Sequence, residues 1–557
     1  MIMESKLKNF SVVKKIVLAI SLLGVFASLL FLIPNFRFSF IEVLEKLFNK
    51  TATENWNLKF LFFGICSLFF FSVVLIFVCL QSQFEKALAI LFDSMGKLFL
   101  KNSNFVLSIA FVTFIISNII LIRFHEAWRD EAQAWLIAKY SSPKGLLSIL
   151  PNEGHPALWF LILMPFAKSG LPFEWISYLS LTITSIAAII FLKEFKLPPV
   201  IKIIALFSPI FFYFSPVIAR SYCLITLELI CVGAFYSRRK QNPILWGTLC
   251  MAMLQTHIYL AGFSGALLLQ MLFEFINERE KKSRRKIFIG GIIGGVGVAL
   301  LFLEFAGNSG HRDAMLSHFL SSNFLFTLAY SVFRICFTAP ISNCGIFFGM
   351  IFTIPFFFII KEQAQKNWQE FFIFTLTFLH LIFVISVYPA LHFQHEAAIF
   401  SMFFVFLFIF PQSKSKILNS FFCLFLLLSC GRSFSYAMKD MKAPFSNSKA
   451  MAQYLKNNIS KNAIIVTEKD RSRLSSLAAY LNGAPKIVFP NGNEYRFTVW
   501  DSHMNNKSWK EYNQDSSDEI FYLFPEELYE GDELELLHSE NLNNLRKENY
   551  FIYKKRE

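Results

Sequence analysis

The chain has 557 residues, of which 55% are hydrophobic, 17% aromatic and 17% charged, and its mean hydropathy is +0.48. A soluble globule of this composition, with 70 phenylalanines, would expose large apolar patches, so that class is excluded. The net charge of +14 would raise nucleic acid in a soluble protein, but the basic residues lie mostly in short loops between apolar runs, as the positive-inside bias requires, and no nucleic-acid partner is expected.

Apolar stretches of about 18 or more residues, the length that crosses a bilayer core, recur along the chain and read as helices rather than alternating barrel strands. MIMESKLKNFSVVKK precedes an apolar run at 16–33. The run is long and no small-residue cleavage site follows, so it reads as an uncleaved anchor. Further segments fall near 60–80, 105–123, 156–168, 175–192, 199–214, 218–236, 243–256, 258–276, 287–305, 343–360, 370–388, 396–410 and 417–430. The N-terminal KLKNFSVVKK and the loops SRRKQN, NEREKKSRRK, KEQAQK and PQSKSK should be cytoplasmic.

Strict alternation through all fourteen segments does not put these loops on one side. Segment 156–168 is the shortest, with 13 residues, and contains Pro165. If it fails to cross, thirteen spans remain and every quoted loop falls inside. Such a segment must be shielded by protein or lie in the interface. The expected fold is therefore a polytopic α-helical membrane protein of about 13 spans in the cytoplasmic (inner) membrane. Residues 1–104 carry extra N-terminal helices and 105–437 the main membrane module.

Residues 438–557 are polar and contain no spanning run. Helical patterns at 448–458 and 471–481 alternate with β-type runs AIIVT, KIVFP, IFYLF and NYFIYKK, which predicts a small soluble α/β domain outside the membrane. The nine cysteines form no CxxC. Cys336 and Cys344 share an expected external loop and are close enough in sequence to pair, although free thiols packed as small apolar residues are the expectation.

The thirteen-span topology gathers polar residues on the external side: His125 to Glu131, Glu153, His155, Arg220, Tyr222, His257, Tyr259, His311, Arg312, Asp313, His392, His395 and Glu396. Ionisable groups in membrane segments usually line an internal or aqueous site. Asp130 and Glu131 open the helix-like stretch DEAQAWLIAKY, whose apolar positions 132, 135, 136 and 140 suit a helix lying in the interface. An acid there also complements the helix dipole. Read as a site, Asp130 is a general base at the membrane surface. Together with Asp130, Glu153 and His155 suit a phosphate or a divalent metal, without a specific metal spacing. Arg220 follows a Ser-Pro turn and suits either interface snorkelling or charge stabilisation on a phosphate. His257 lies between two closely spaced segments, which puts it at the membrane surface.

The order of the Asp-Glu pair, HPALWFLIL, SPVIARSYCL and THIYL resembles the GT-C superfamily of integral-membrane glycosyltransferases, over roughly residues 105–410. Protein O-mannosyltransferases and the aminoarabinose transferase acting on lipid A belong to it. The resemblance implies a polyprenyl-phosphate-sugar donor, Asp130 as catalytic base beside Glu131, and substrate contacts from His155, Arg220 and Tyr222. It also implies a late arginine for the donor phosphate; here that place reads LHFQHEA, with His392 and His395. A protonated His392 or His395 would pair with the phosphate, so donor affinity would weaken as pH rises through about 6–7.

The resulting expectation is inverting sugar transfer to a glycan, lipid or protein hydroxyl at the outer face, with membrane lipid around the chain. A ligase or polymerase acting on lipid-linked glycans is the alternative enzyme. A lipid-linked glycan transporter should carry polar groups in mid-span and show repeated halves. The segments here are nearly all apolar in their middles.

Overall fold

The computed structural model describes residues 12–48, scattered residues between 57 and 83, 103–306, 368–387, 393–409, 416–468, 471–499 and, with short breaks, 508–556. The described part is mostly helical, with one small sheet near its C-terminal end. Helices α1 (Val12–Leu30) and α2 (Pro34–Phe48) meet at a bend of 94°.

Among the described residues, five helices are long and apolar enough to cross a membrane. They are α3 (Ser103–Phe124), α7 (Trp175–Glu194), the stretch Ile258–Asn277 containing α11 (Ala261–Asn277), α12 (Lys281–Phe305) and α13 (Trp368–Val387). Counting the bent α1–α2 pair as one span makes six. These do not amount to the thirteen expected.

Part of the shortfall has a physical cause. Segment 199–214 forms α8 (Pro199–Leu206) and then turns continue to residue 221. Ser208, Pro209, Ser215 and Pro216 interrupt the helix there, and Ser215 Oγ bonds back to the carbonyl of Ile210 at 3.1 Å. Irregular backbone at such a place is tolerated because protein buries it. Segments 218–236 and 243–256 become α9 (Tyr222–Phe235) and α10 (Pro243–Thr256), each 14 residues long. At 1.5 Å per residue such a helix covers about 21 Å, less than a hydrocarbon core of about 30 Å. Segment 343–360 and the loop KEQAQK lie outside the described residues.

Helix ends sort into two sides of the bundle. At one end Arg238 pairs with Glu194, and Arg239 with Glu274 at 2.9 Å. This end carries the basic loops 237–242 and 277–286. The opposite end receives the C-terminus of α3, the starts of α4 (Arg129–Tyr140) and α9, the end of α10, the start of α14 (Phe393–Ile409) and the end of α15 (Lys416–Lys442).

Helix α5 (Pro143–Glu153) starts at Ser142, whose hydroxyl accepts from the N–H of Gly145, and ends on Gly154 at φ +68°. Then α6 (Leu158–Lys168) runs beside α4. Lys168 Nζ reaches the Lys139 carbonyl at 3.2 Å, and the following Phe173 packs on Trp135. Segment 156–168 therefore stays at one end of the bundle.

The C-terminal unit contains α16 (Ser448–Asn458), α17 (Arg471–Leu481) and a five-stranded sheet ordered β2-β1-β3-β5-β4. Strands β1 (Ile464–Thr467), β2 (Lys486–Val488) and β3 (Ile520–Phe524) are parallel; β5 (Tyr550–Lys555) runs antiparallel to β3 and to β4 (Leu534–Glu540). Its core is continuous with that of α4 and α6. This unit overturns the expectation for α4. Instead of lying on the membrane interface with one apolar face, α4 is buried from Glu131 to Ala138, between α6 and α17.

The placement of α6 gives a labelling prediction. In a cysteine-free background, Lys144→Cys and Ser169→Cys should react with an impermeant maleimide from one side of the membrane. Lys282→Cys should react only from the other. Labelling of Ser169→Cys from the Lys282 side would put α6 across the bundle.

Candidate functional site

His125 leaves the end of α3 and is buried against Glu131 of α4 and against Asp440 and Phe445 at and just beyond the end of α15. Its Nδ1 lies 2.8 Å from Oδ2 of Asp440, and its Nε2 lies 3.1 Å from Oε2 of Glu131. Burial by itself lowers the pKa of the ring, but Asp440 and Glu131 outweigh it and raise the value to about 10. His125 is thus an imidazolium at neutral pH and donates from both nitrogens.

Glu131 is fully buried and accepts two more bonds. The N–H of Trp128 donates at 3.1 Å, so Glu131 satisfies a free backbone donor at the start of α4. The N–H of Ala219 donates at 2.6 Å. Asp440 also accepts from the hydroxyl of Tyr213 at 3.1 Å. One cation and two carboxylates therefore join the end of α3, the start of α4, the turns at 207–221 and the end of α15.

Asp130 precedes Glu131 but points elsewhere, with a side chain 26% exposed. Its Oδ2 is 2.7 Å from Nη1 of Arg220 and its Oδ1 is 3.3 Å from Nε of Arg129. Nη2 of Arg220 in turn lies 2.5 Å from Nε2 of His155. Beyond it the rings assemble. His155 and His257 have centroids 5.1 Å apart, Tyr222 and His257 5.8 Å, Tyr222 and His395 6.1 Å, and Tyr259 and His395 5.4 Å. Burial first, and Arg220 next, hold His155 well below the ordinary histidine range and push His257 down to about 3.

The structure thus brings together Asp130, Arg220, His155, Tyr222, His257 and His395. It separates Glu131, which is turned into the buried network. Glu153 accepts from Gln133 Nε2 at 2.8 Å, and that amide also donates to the Thr498 carbonyl at 2.6 Å. Glu153 therefore belongs to the seam with the C-terminal unit. His392, His311, Arg312, Asp313, Cys336 and Cys344 lie outside the described residues. Asp440 was not singled out from sequence: it stands 315 residues from His125, in a stretch with no motif around it.

Among the described residues no group of three or more His, Cys, Asp or Glu is arranged to hold a metal ion. Asp130 and His155, which together with Glu153 suit a phosphate or a divalent metal, both contact Arg220. No protein-family model matches the chain, and no curated protein matches it in sequence.

The buried network predicts a pH dependence of stability. His125 has a folded-state pKa of about 10 against an ordinary 6.5. Its contribution is complete below 6.5 and is lost as pH rises through about 10. The thermal midpoint of wild type should fall across that window, and His125→Gln should flatten the fall. Glu131→Gln leaves a buried cation with one partner fewer, and should cost about 3–5 kcal/mol in denaturant or thermal unfolding. Equal pH slopes in wild type and His125→Gln would remove His125 from the account.

Proposed function

We propose that the chain is a membrane glycosyltransferase of the GT-C kind, moving a sugar from a polyprenyl-phosphate donor to an acceptor hydroxyl with inversion. The observation that supports this most is the Asp130–Arg220 pair. A partly open carboxylate and a guanidinium lie 2.7 Å apart at one end of an apolar helical bundle, beside a cluster of tyrosine and histidine rings. A base and a phosphate-binding cation are the two groups that such a transfer requires.

In this reaction the acceptor oxygen attacks the anomeric carbon and its proton passes to Asp130. The bond from that carbon to the phosphate oxygen breaks, and its electron pair stays on the lipid phosphate. Arg220 turns Nη1 from Asp130 to the leaving phosphate, where a charge-assisted bond is strong, while Nη2 keeps its bond to His155. That exchange frees an oxygen of Asp130 for the proton. Glu131 takes a positioning role instead of a catalytic one, because its carboxylate is already filled by His125, Trp128 and Ala219.

The basic loops at the far end of the bundle support an outward-facing site by the positive-inside bias. In this reading the C-terminal unit lies at the outer face of the cytoplasmic membrane. The acceptor is a glycan, lipid or protein hydroxyl.

Release of polyprenyl phosphate from a panel of polyprenyl-phosphate sugars in nanodiscs tests the reading. Asp130→Asn keeps the shape and removes the base, so turnover should fall about 10²–10⁴-fold with donor binding retained. Arg220→Ala should weaken donor binding more than Arg220→Lys, which keeps the charge and loses the fork. Wild-type turnover by Asp130→Asn would overturn the assignment.

A further inference from the structure

We infer that His155 and His257 form a pair of imidazole N–H donors for the oxygens of a bound phosphate, and do not pair with it as cations. The inference rests on the donor reading above and names residues that hold the phosphate of that donor.

The tautomers follow from the partners. A guanidinium has donors only, so Nε2 of His155, 2.5 Å from Nη2 of Arg220, must be the accepting nitrogen. The proton of a neutral His155 then sits on Nδ1. A backbone N–H also only donates, so Nδ1 of His257, 3.2 Å from the N–H of Tyr259, accepts. The proton of His257 then sits on Nε2. These two protonated positions, Nδ1 of His155 and Nε2 of His257, are both buried, and neither finds a hydrogen-bond partner among the described residues. A buried N–H without a partner is costly, and a ligand oxygen removes that cost.

The polarity of the site selects the ligand. Arg220 and the two imidazoles offer donors only, and Arg129 lies 3.3 Å from Asp130 as a second guanidinium. An ionised phosphodiester offers acceptors only, so its oxygens match this set. A sugar hydroxyl must also donate, and Asp130 is reserved for the acceptor hydroxyl in the proposed reaction. The low proton affinity of both histidines agrees with this arrangement, since burial and Arg220 oppose a second positive charge there. The pH dependence expected from a protonated His392 or His395 should therefore be absent if His155 and His257 carry the contact.

The test uses the full chain in nanodiscs with ¹⁵N-labelled histidine. The probes are a polyprenyl-phosphate glucose, inorganic phosphate and free glucose. The polyprenyl diester is the main probe because its charge is constant near neutral pH. At pH about 7, His155 and His257 should show one protonated nitrogen each, and both N–H signals should move when the diester is added. His155→Phe and His257→Phe should each weaken diester binding about tenfold or more. His155→Asn and His257→Gln, which restore a donor near the same place, should recover part of it. Affinity should be flat between pH about 6 and 8.

Imidazolium signals assigned to His155 or His257 at pH about 7, affinity rising as pH falls through about 6–7, or wild-type affinity in both Phe variants would overturn the inference. Loss of free-glucose binding with diester binding intact would overturn it too. If the variants lose inorganic phosphate while wild type binds no lipid donor, the N–H pair stands and the glycosyl-transfer reading fails. If wild type turns over donor and the Phe variants bind it normally, the reverse holds.

Discussion

An imidazolium with a carboxylate on each ring nitrogen is the constraint on which the rest of the site depends. Isolated charges are too costly to bury, so His125, Glu131 and Asp440 persist only as a unit. Their summed charge is negative, and the excess is spread over three further donors: the N–H groups of Trp128 and Ala219 and the hydroxyl of Tyr213. Each donor lies outside the regular α-helices, Trp128 in the loop 125–128 and Ala219 and Tyr213 in the turns at 207–221. Tyr213 is held at φ +66°, a conformation that a bulky residue keeps only when its surroundings fix it; its N–H reaches Asn118 Oδ1 at 3.3 Å and its hydroxyl reaches Asp440.

The Asp130–Arg220 pair inherits its geometry from this network through the chain itself. Asp130 is the residue before Glu131, and Arg220 is the residue after Ala219. The 2.6 Å bond from Ala219 to Glu131 thereby places the neighbouring guanidinium against the neighbouring carboxylate. Successive residues on a helix point about 100° apart, so two adjacent acids cannot share a face. One is turned inward as the fixing group and the other outward. Sequence alone marks both as acids of a first turn and does not tell which is which.

Other features were legible for identifiable reasons. The C-terminal unit reads well because its patterns are local: the helices at 448–458 and 471–481 match their expected bounds, and four of the five strands were expected. β4 was missed because LELLHSE alternates poorly and carries two acids. The gathering of Arg220, His155, His257 and His395 was legible because membrane helices fix their ends, and ends on one side meet. What depended on distant pairing was not. Asp440 and Thr498 meet the start of the site across more than 300 residues, and no period or spacing encodes such contacts. Counting spans by hydropathy failed where an apolar run was broken by Ser-Pro pairs, since apolarity gives burial but not helical length.

The burial of α4 explains how so polar a helix holds its place. It has 12 residues, too few for an isolated helix to be stable in water. Its opening Arg-Asp-Glu would be hydrated if it lay alone at the membrane surface. Packed between α6 and α17 it is ordered on both sides, and Gln133 fastens it to the C-terminal unit through Thr498 and Ser475. Tyr480 of α17 completes the hold by accepting from the N–H of Ala127, just before the helix begins. The C-terminal unit is therefore part of the scaffold of the site. It covers the helix that carries Asp130, and Glu131 on that helix is fully buried, so that the bonds to His125 and Ala219 act in a low dielectric.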